Sequence, residues 1–207
     1  MTHRTEHRTA GEKMTDIGLV PWTEDDFGLL LKNNAPEMMA HLGGPETLDQ
    51  LMDRHRRYLA LSMLDGHGRM FRITAGPDTP AAGSIGYWAT PWQGERVWET
   101  GWGVLPVHQG RGIAAAAARL VAAHAAADRA RIRHLHAFPP VDHPASNGVC
   151  RSAGFTLRGP CDVEYPKGRA IRCHDWHLDL GTLSGARRSG ASPSPRPSKN
   201  PVETPQK

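Results

Sequence analysis

Cysteine is scarce in this 207-residue chain: Cys150, Cys161 and Cys173 are its only three, and no two of them form a close pair. An odd number without a recognisable spacing argues against a disulfide framework. A zinc site drawn from Cys161, Cys173, His174 and His177 fits no common ligand pattern, because adjacent Cys173 and His174 would point to opposite faces of a strand. No apolar run reaches the length of a membrane span, so no membrane partner is expected. Residues 1–13 alternate His, Arg, Thr and Glu with no apolar stretch, which argues against a secretory signal and for the cytoplasm. Two nucleotide signatures are also missing: the Lys-Ser/Thr of a P-loop, and a Gly-x-Gly-x-x-Gly followed by a ribose-binding acid. Nucleoside triphosphates and dinucleotides are therefore not the expected ligands.

Basic charge is lacking where a nucleic-acid binder would need it. The net charge is +4, yet residues 182–207 hold five Lys or Arg against one Glu, and residues 1–13 hold three against two. The core between them is close to neutral and carries no electrostatic footprint for a specific nucleic acid. A basic tail can still adhere to polyanions. From Thr182 onward Ser and Pro dominate, so residues 182–207 read as a disordered basic tail and residues 1–14 as a disordered leader. What remains, 15–181, is long enough for one well-packed domain.

Along that domain, residues 19–22 read as a first strand, and Thr23-Glu-Asp-Asp as a helix start with acids in the first turn. Leu48, Leu51, Met52, His55, Tyr58, Leu59 and Met63 recur at helical spacing. Strand-like runs follow at 70–75, 84–90 and 96–104, separated by turn-rich 76–82 and 91–95. Residues 112–127 are nearly pure alanine and predict a strong helix. A strand at 132–138, a short helix at 144–153 ended by Gly154, and strands at 155–163 and 170–180 complete the set. Such an order implies an α+β fold, a mixed and mostly antiparallel sheet with helices on both faces.

One junction carries functional information. A strand ends at Leu105, Pro106 stops it, and Gln109-Gly-Arg-Gly-Ile-Ala114 opens directly into the alanine helix. Gly110 and Gly112 let the backbone approach a ligand. Unpaired N–H groups of the first helical turn, the helix dipole and the charge of Arg111 together suit a pyrophosphate.

Gln109-x-x-Gly112-x-Ala114 resembles the acetyl-CoA motif of the GNAT superfamily of N-acetyltransferases. Gly101-Trp102-Gly103-Val104-Leu105-Pro106, Ala145-Ser146 and Gly154-Phe155 look like its ribosomal-protein-alanine (RimJ/RimL-type) branch. The resemblance implies acetyl-CoA as cosubstrate, held by residues 109–114 (Ile113 included) and by backbone groups of Val104 and Leu105. It also implies cofactor contacts from the second motif. There His143 stands where the family usually has Asn, with Ser146 and Asn147 beside it, and Cys150 stands where many members carry an acid-acting Tyr.

An amine attacks a thioester only when uncharged, so a proton acceptor is needed. Glu99 is the candidate, on the same side of its strand by parity as Gly101 and Gly103. Cys150 lacks the context of a covalent nucleophile. His41, Trp92, Trp102 and Tyr165 are candidates for the acceptor pocket, with a small-molecule amine or a protein N-terminus as the acceptor. His134 and His136 share a strand face; without a third ligand they read as hydrogen-bonded histidines, not a metal site. A non-catalytic acetyl-CoA sensor of the same fold is the alternative reading, and self-association as a homodimer is compatible with either.

Overall fold

The computed structural model describes residues 16–63, 66–165 and 168–185. The expected leader and residues 186–207 of the expected tail lie outside them.

Strand β1 (Ile17–Pro21) delivers Trp22, only 3% exposed, to the base of the first helical layer. The Thr23 backbone N–H donates to Asp26 Oδ2 at 2.8 Å, and Arg72 Nη1 donates to the other oxygen of this buried carboxylate at 3.1 Å. Satisfying the first orphan donor in this way starts the helical segment and ties it to the sheet. A short 3-10 turn leads into α1 (Phe27–Asn33), then α2 (Pro36–Met39) and the long α3 (Leu48–Met63).

Strands β2 (Gly68–Ala75), β3 (Gly83–Trp92) and β4 (Glu95–Val104) form an antiparallel meander with β1. The stretch 91–95, expected to separate two strands, is mostly strand. Only Gln93 and Gly94 turn, both at positive φ (50° and 84°), the type I′ geometry of a two-residue hairpin. Pro91 is tolerated because β2 pairs with β3 only as far as Trp88. Among the described residues the last bond on that edge is from the Ala89 N–H to the His67 carbonyl, so Pro91 has no ladder bond there to lose.

Helix α4 (Ile113–Ala127) crosses to β5 (His134–Ala137), and α5 (Pro144–Ala153) leads to β6 (Thr156–Glu164) and β7 (Ala170–Asp179). Residues 181–185, where the tail was expected to begin, instead form a short helical turn, α6 (Gly181–Gly185). Among the described residues seven strands make one sheet, ordered β1-β2-β3-β4-β5-β7-β6, antiparallel throughout except β4 with β5.

Alternation gives the sheet two different faces. Ile85, Tyr87, Trp98, Val104, Leu135 and Trp176 meet the alanine stripe of α4 and Cys150 and Ala153 of α5 in the main core. The small side chains of Ala117, Ala118, Ala122 and Ala125, all at most 1% exposed, let the helix lie close on the strands. Trp98 is fully buried there, and truncation to Ala should cost about 3–5 kcal/mol. On the opposite face Leu29, Leu30, Leu51 and Met70 pack around Trp22 in a second core under α1 and α3. The α+β architecture with helices on both faces is thus as the sequence predicts.

Candidate active site

The sheet opens at its centre. β4 and β5 pair only at Trp98↔Leu135 and Glu99↔His136, after which β4 runs on to Val104 while β5 ends at Ala137. The Leu105 N–H donates to Ala82 O at 2.9 Å, toward β3. Backbone groups alternate sides along a strand, so those of Thr100, Trp102 and Val104 turn toward the side β5 has left. This corrects the expectation for Leu105. Its N–H is held by Ala82 and its carbonyl accepts from the His108 N–H at 2.8 Å, so its backbone serves the turn and not a ligand. Val104 remains, with its carbonyl taken by Gln109 Nε2 at 2.8 Å and its N–H facing the gap.

That Gln109 bond fastens the glycine turn to the end of β4. Gly110 and Gly112 both sit at φ 72°, where a side chain is strained, and the space outside Gly110 is open. Gly112 is the N-cap of α4 and no side chain caps that helix, while Ile113 is buried and anchors the first turn in the core. Arg111 is exposed and Ala114 half-buried beside them. Unfilled donors, a partial positive charge and an unobstructed backbone fit the diphosphate of a coenzyme A group.

Glu99 lies at the last paired position before the gap. Gly101 and Gly103, on its side of β4, face Trp88 and Asn33, whereas Trp102 packs against the main core on the other side. Trp102 is therefore on the wrong face to share an acceptor pocket with Glu99, and parity decides this. Trp88, Thr90 and Trp92 alternate onto the Glu99 face of β3. Thr90 Oγ1 donates to Glu99 Oε2 at 3.0 Å, and Trp88 stands opposite Glu99 in register on the same face. Burial pushes the Glu99 carboxyl above the ordinary glutamate value, against the pull of Thr90, Trp88 and His136.

Trp92 reaches the same cluster: its Nε1 donates to Asp175 Oδ2 at 3.1 Å, and its ring meets Phe138 at 4.6 Å between centroids. His41 stacks on His143 at 4.2 Å and lies 3.5 Å from Asp142, so an expected acceptor group and an expected cofactor group meet each other. Burial and the neighbouring His41 hold His143 below the ordinary histidine value. The Tyr165 hydroxyl accepts from Arg54 Nη2 at 2.5 Å, and the same guanidinium pairs with Glu46 at 2.6 Å, which joins the β6–β7 end to α3.

Asn147 is committed to the fold. Its Nδ2 donates to the Pro140 and His143 carbonyls, both at 2.9 Å, and its Oδ1 accepts from Trp176 Nε1 at 2.9 Å and bonds His174 Nδ1 at 2.8 Å. It shapes the loop before α5 and has no polar atom left for a coenzyme. Ser146, half-buried in the first turn of α5, has no such commitment. Cys150 is fully buried against the core, and burial pushes its thiol up to about 12, so it is neither acid nor nucleophile.

Sequence reasoning missed Asp175, Thr90 and Trp88, and took His136 only for a hydrogen-bonded histidine. An aspartate between two histidines and next to Trp176 in the strand expected at 170–180 was the available signal for Asp175.

Residues 16–156 match the family described as acetyltransferase (GNAT) domain. No curated protein matches the chain. Similar solved structures include an acetyltransferase from Agrobacterium tumefaciens str. C58, at 22% identity and TM-score 0.65, with 86% of this chain and 99% of that one covered. Another is the ribosomal L7/L12 α-N-protein acetyltransferase RimL in complex with coenzyme A, at 24% identity and TM-score 0.64, covering 80% and 94%. A third is the Vibrio cholerae spermidine N-acetyltransferase in complex with CoA and spermine, at 16% identity and TM-score 0.63, covering 80% and 96%. With the family matched over most of its length and an open sheet beside an uncapped glycine turn, this chain belongs to the GNAT family of acetyl-CoA-dependent acetyltransferases.

Proposed function

We propose that the chain acetylates a primary amine, either a protein N-terminus or a small-molecule amine, by direct attack, with Glu99 as the proton acceptor. The observation that carries this reading is the half-buried carboxylate of Glu99 at the last β4–β5 pair, held by Thr90 beside the gap.

Acetyl-CoA, when bound, supplies the acetyl group as a thioester. Residues 110–114 would hold its diphosphate, with Val104, His143 and Ser146 along the gap. The Val104 N–H, which faces the gap, would donate to a negative charge developing on the acyl oxygen. At pH 7, deprotonation costs about 4.6 kcal/mol for a lysine-like amine and about 1.4 kcal/mol for an α-amine. Glu99 takes that proton, directly or through a water. The new N–C bond then forms as the C–S bond breaks, and the thiolate leaves with little need of protonation. The core position of Cys150 is consistent with a reaction that needs no dedicated acid.

His41, Trp92 and Tyr165 are kept as candidate acceptor contacts, with Trp92 joined to the Glu99 cluster through Asp175, and the RimJ/RimL-type branch is the reading for the acceptor class. The same reading assigns the chain to the cytoplasm, with no membrane or specific nucleic-acid partner, and allows a homodimer. Among the described residues no helix is long and apolar enough to cross a membrane.

Thiol release from acetyl-CoA, measured against a panel of free-N-terminus peptides, polyamines and aminoglycosides, tests the proposal. Release with at least one amine is expected. No release with any of them, from a protein that still binds acetyl-CoA, favours the sensor alternative.

A further inference from the structure

Glu99 stands in a polar cluster that the acetyl-transfer reading uses only in part. Its partner in the parallel ladder is His136, 7% exposed, whose Nδ1 lies 2.7 Å from Asp175 Oδ1. Asp175, 5% exposed, receives Trp92 Nε1 on its other oxygen, so both of its oxygens are engaged. The remaining ring nitrogen of His136, Nε2, has no partner in this dyad. A half-buried and a buried carboxylate share one sheet face with this histidine between them in register, and a charged imidazole there lowers their mutual repulsion.

We propose that His136, oriented by Asp175, is a positioning residue that stands as an imidazolium beside Glu99 and keeps the Glu99 carboxylate ionised and ready to accept the amine proton. This rests on the reading of Glu99 as the base. The surroundings agree. Burial pushes the Asp175 carboxyl up, but its bonds with His136 and Trp92 outweigh it and hold Asp175 below the ordinary aspartate value. The other titratable groups on this face are His134 on β5, His177 and Cys173 on β7, and Cys161 on β6. His177 Nε2 lies 2.9 Å from His134 Nδ1, so those two rings are bonded to each other. Burial pushes both thiols up, to about 11 for Cys173 and about 12 for Cys161, so they stay neutral. Burial and nearby positive charge, Arg158 first, lower His177. Of these groups His136 alone is both in register with Glu99 and bonded to a carboxylate.

The test is nuclear magnetic resonance on the full chain without ligands. Ring nitrogen shifts of His136 at neutral pH report its charge directly, and an imidazolium pattern is expected. The Glu99 carboxyl signal, assigned by its loss in Glu99→Gln, is then titrated. In His136→Gln its midpoint should rise by about one pH unit, and Asp175→Asn should move it in the same direction. His134→Gln should leave it in place. A neutral-imidazole pattern for His136, or a Glu99 midpoint that is unmoved in His136→Gln or moved equally by His134→Gln, overturns the proposal. Should Glu99→Gln turn over normally, the base reading fails while the midpoint test still stands. An inactive Glu99→Gln with an unmoved midpoint removes only the role of His136.

Discussion

Glu99 and His136 are the last partners in the parallel pairing of β4 and β5, and beyond them the two strands part. The candidate base therefore sits at the fork of the sheet. Its backbone is held by the ladder and its side chain by Thr90, beside the gap.

Such a position has a stability consequence. A carboxyl whose folded pKa is raised binds its proton more readily in the folded state, so stability falls as pH rises from the ordinary glutamate value through the raised one. Above that window the ionised, half-buried carboxylate of Glu99 opposes folding. Glu99→Gln should therefore melt higher than the parent protein at neutral pH and close to it at about pH 4, near the ordinary glutamate value. Thermal melts at the two pH values check this, and an equal difference at both would contradict it.

The glycine turn offers a second test. Gly112 sits at φ 72°, so Gly112→Ala forces an L-residue into left-handed backbone. The expected cost is about 1–2 kcal/mol. Because the strain can be relieved only by turning the N–H groups of the helix start, acetyl-CoA should also stabilise the variant less than the parent. Melts with and without acetyl-CoA measure both effects.

Asn147 is expected to matter for folding before function. Asn147→Ala removes two bonds to loop carbonyls and leaves the buried Trp176 indole N–H without its acceptor. A loss of about 2–4 kcal/mol follows, readable in urea unfolding with little change in slope. An effect confined to coenzyme affinity would contradict the assignment of this side chain to the fold.

The features legible in the sequence were the local ones. The alanine helix, the glycine turn before it and the parity of Glu99 depend on neighbours within a few residues, and the structure agrees on each. Parity also contained the correction for Trp102, since it alternates away from Glu99. What was not legible depends on distant partners. Leu105 is held by Ala82 from another strand, Tyr165 meets Arg54 from α3, and Asp175 joins Trp92 to His136. Helix α2 (Pro36–Met39), a single turn, is too short to show a periodicity. In the second motif the Asn147 amide was expected to face a ligand, but its neighbours two strands away claim it.

The most direct test of the central claim pairs turnover with binding in Glu99→Gln, using any amine that gives thiol release with the parent protein. Turnover should fall by about 10²–10⁴-fold, while acetyl-CoA at about 100 times its dissociation constant still adds roughly 2.7 kcal/mol, a melt shift of about 5–10 °C. Unchanged turnover with the shift intact would contradict Glu99 as the proton acceptor.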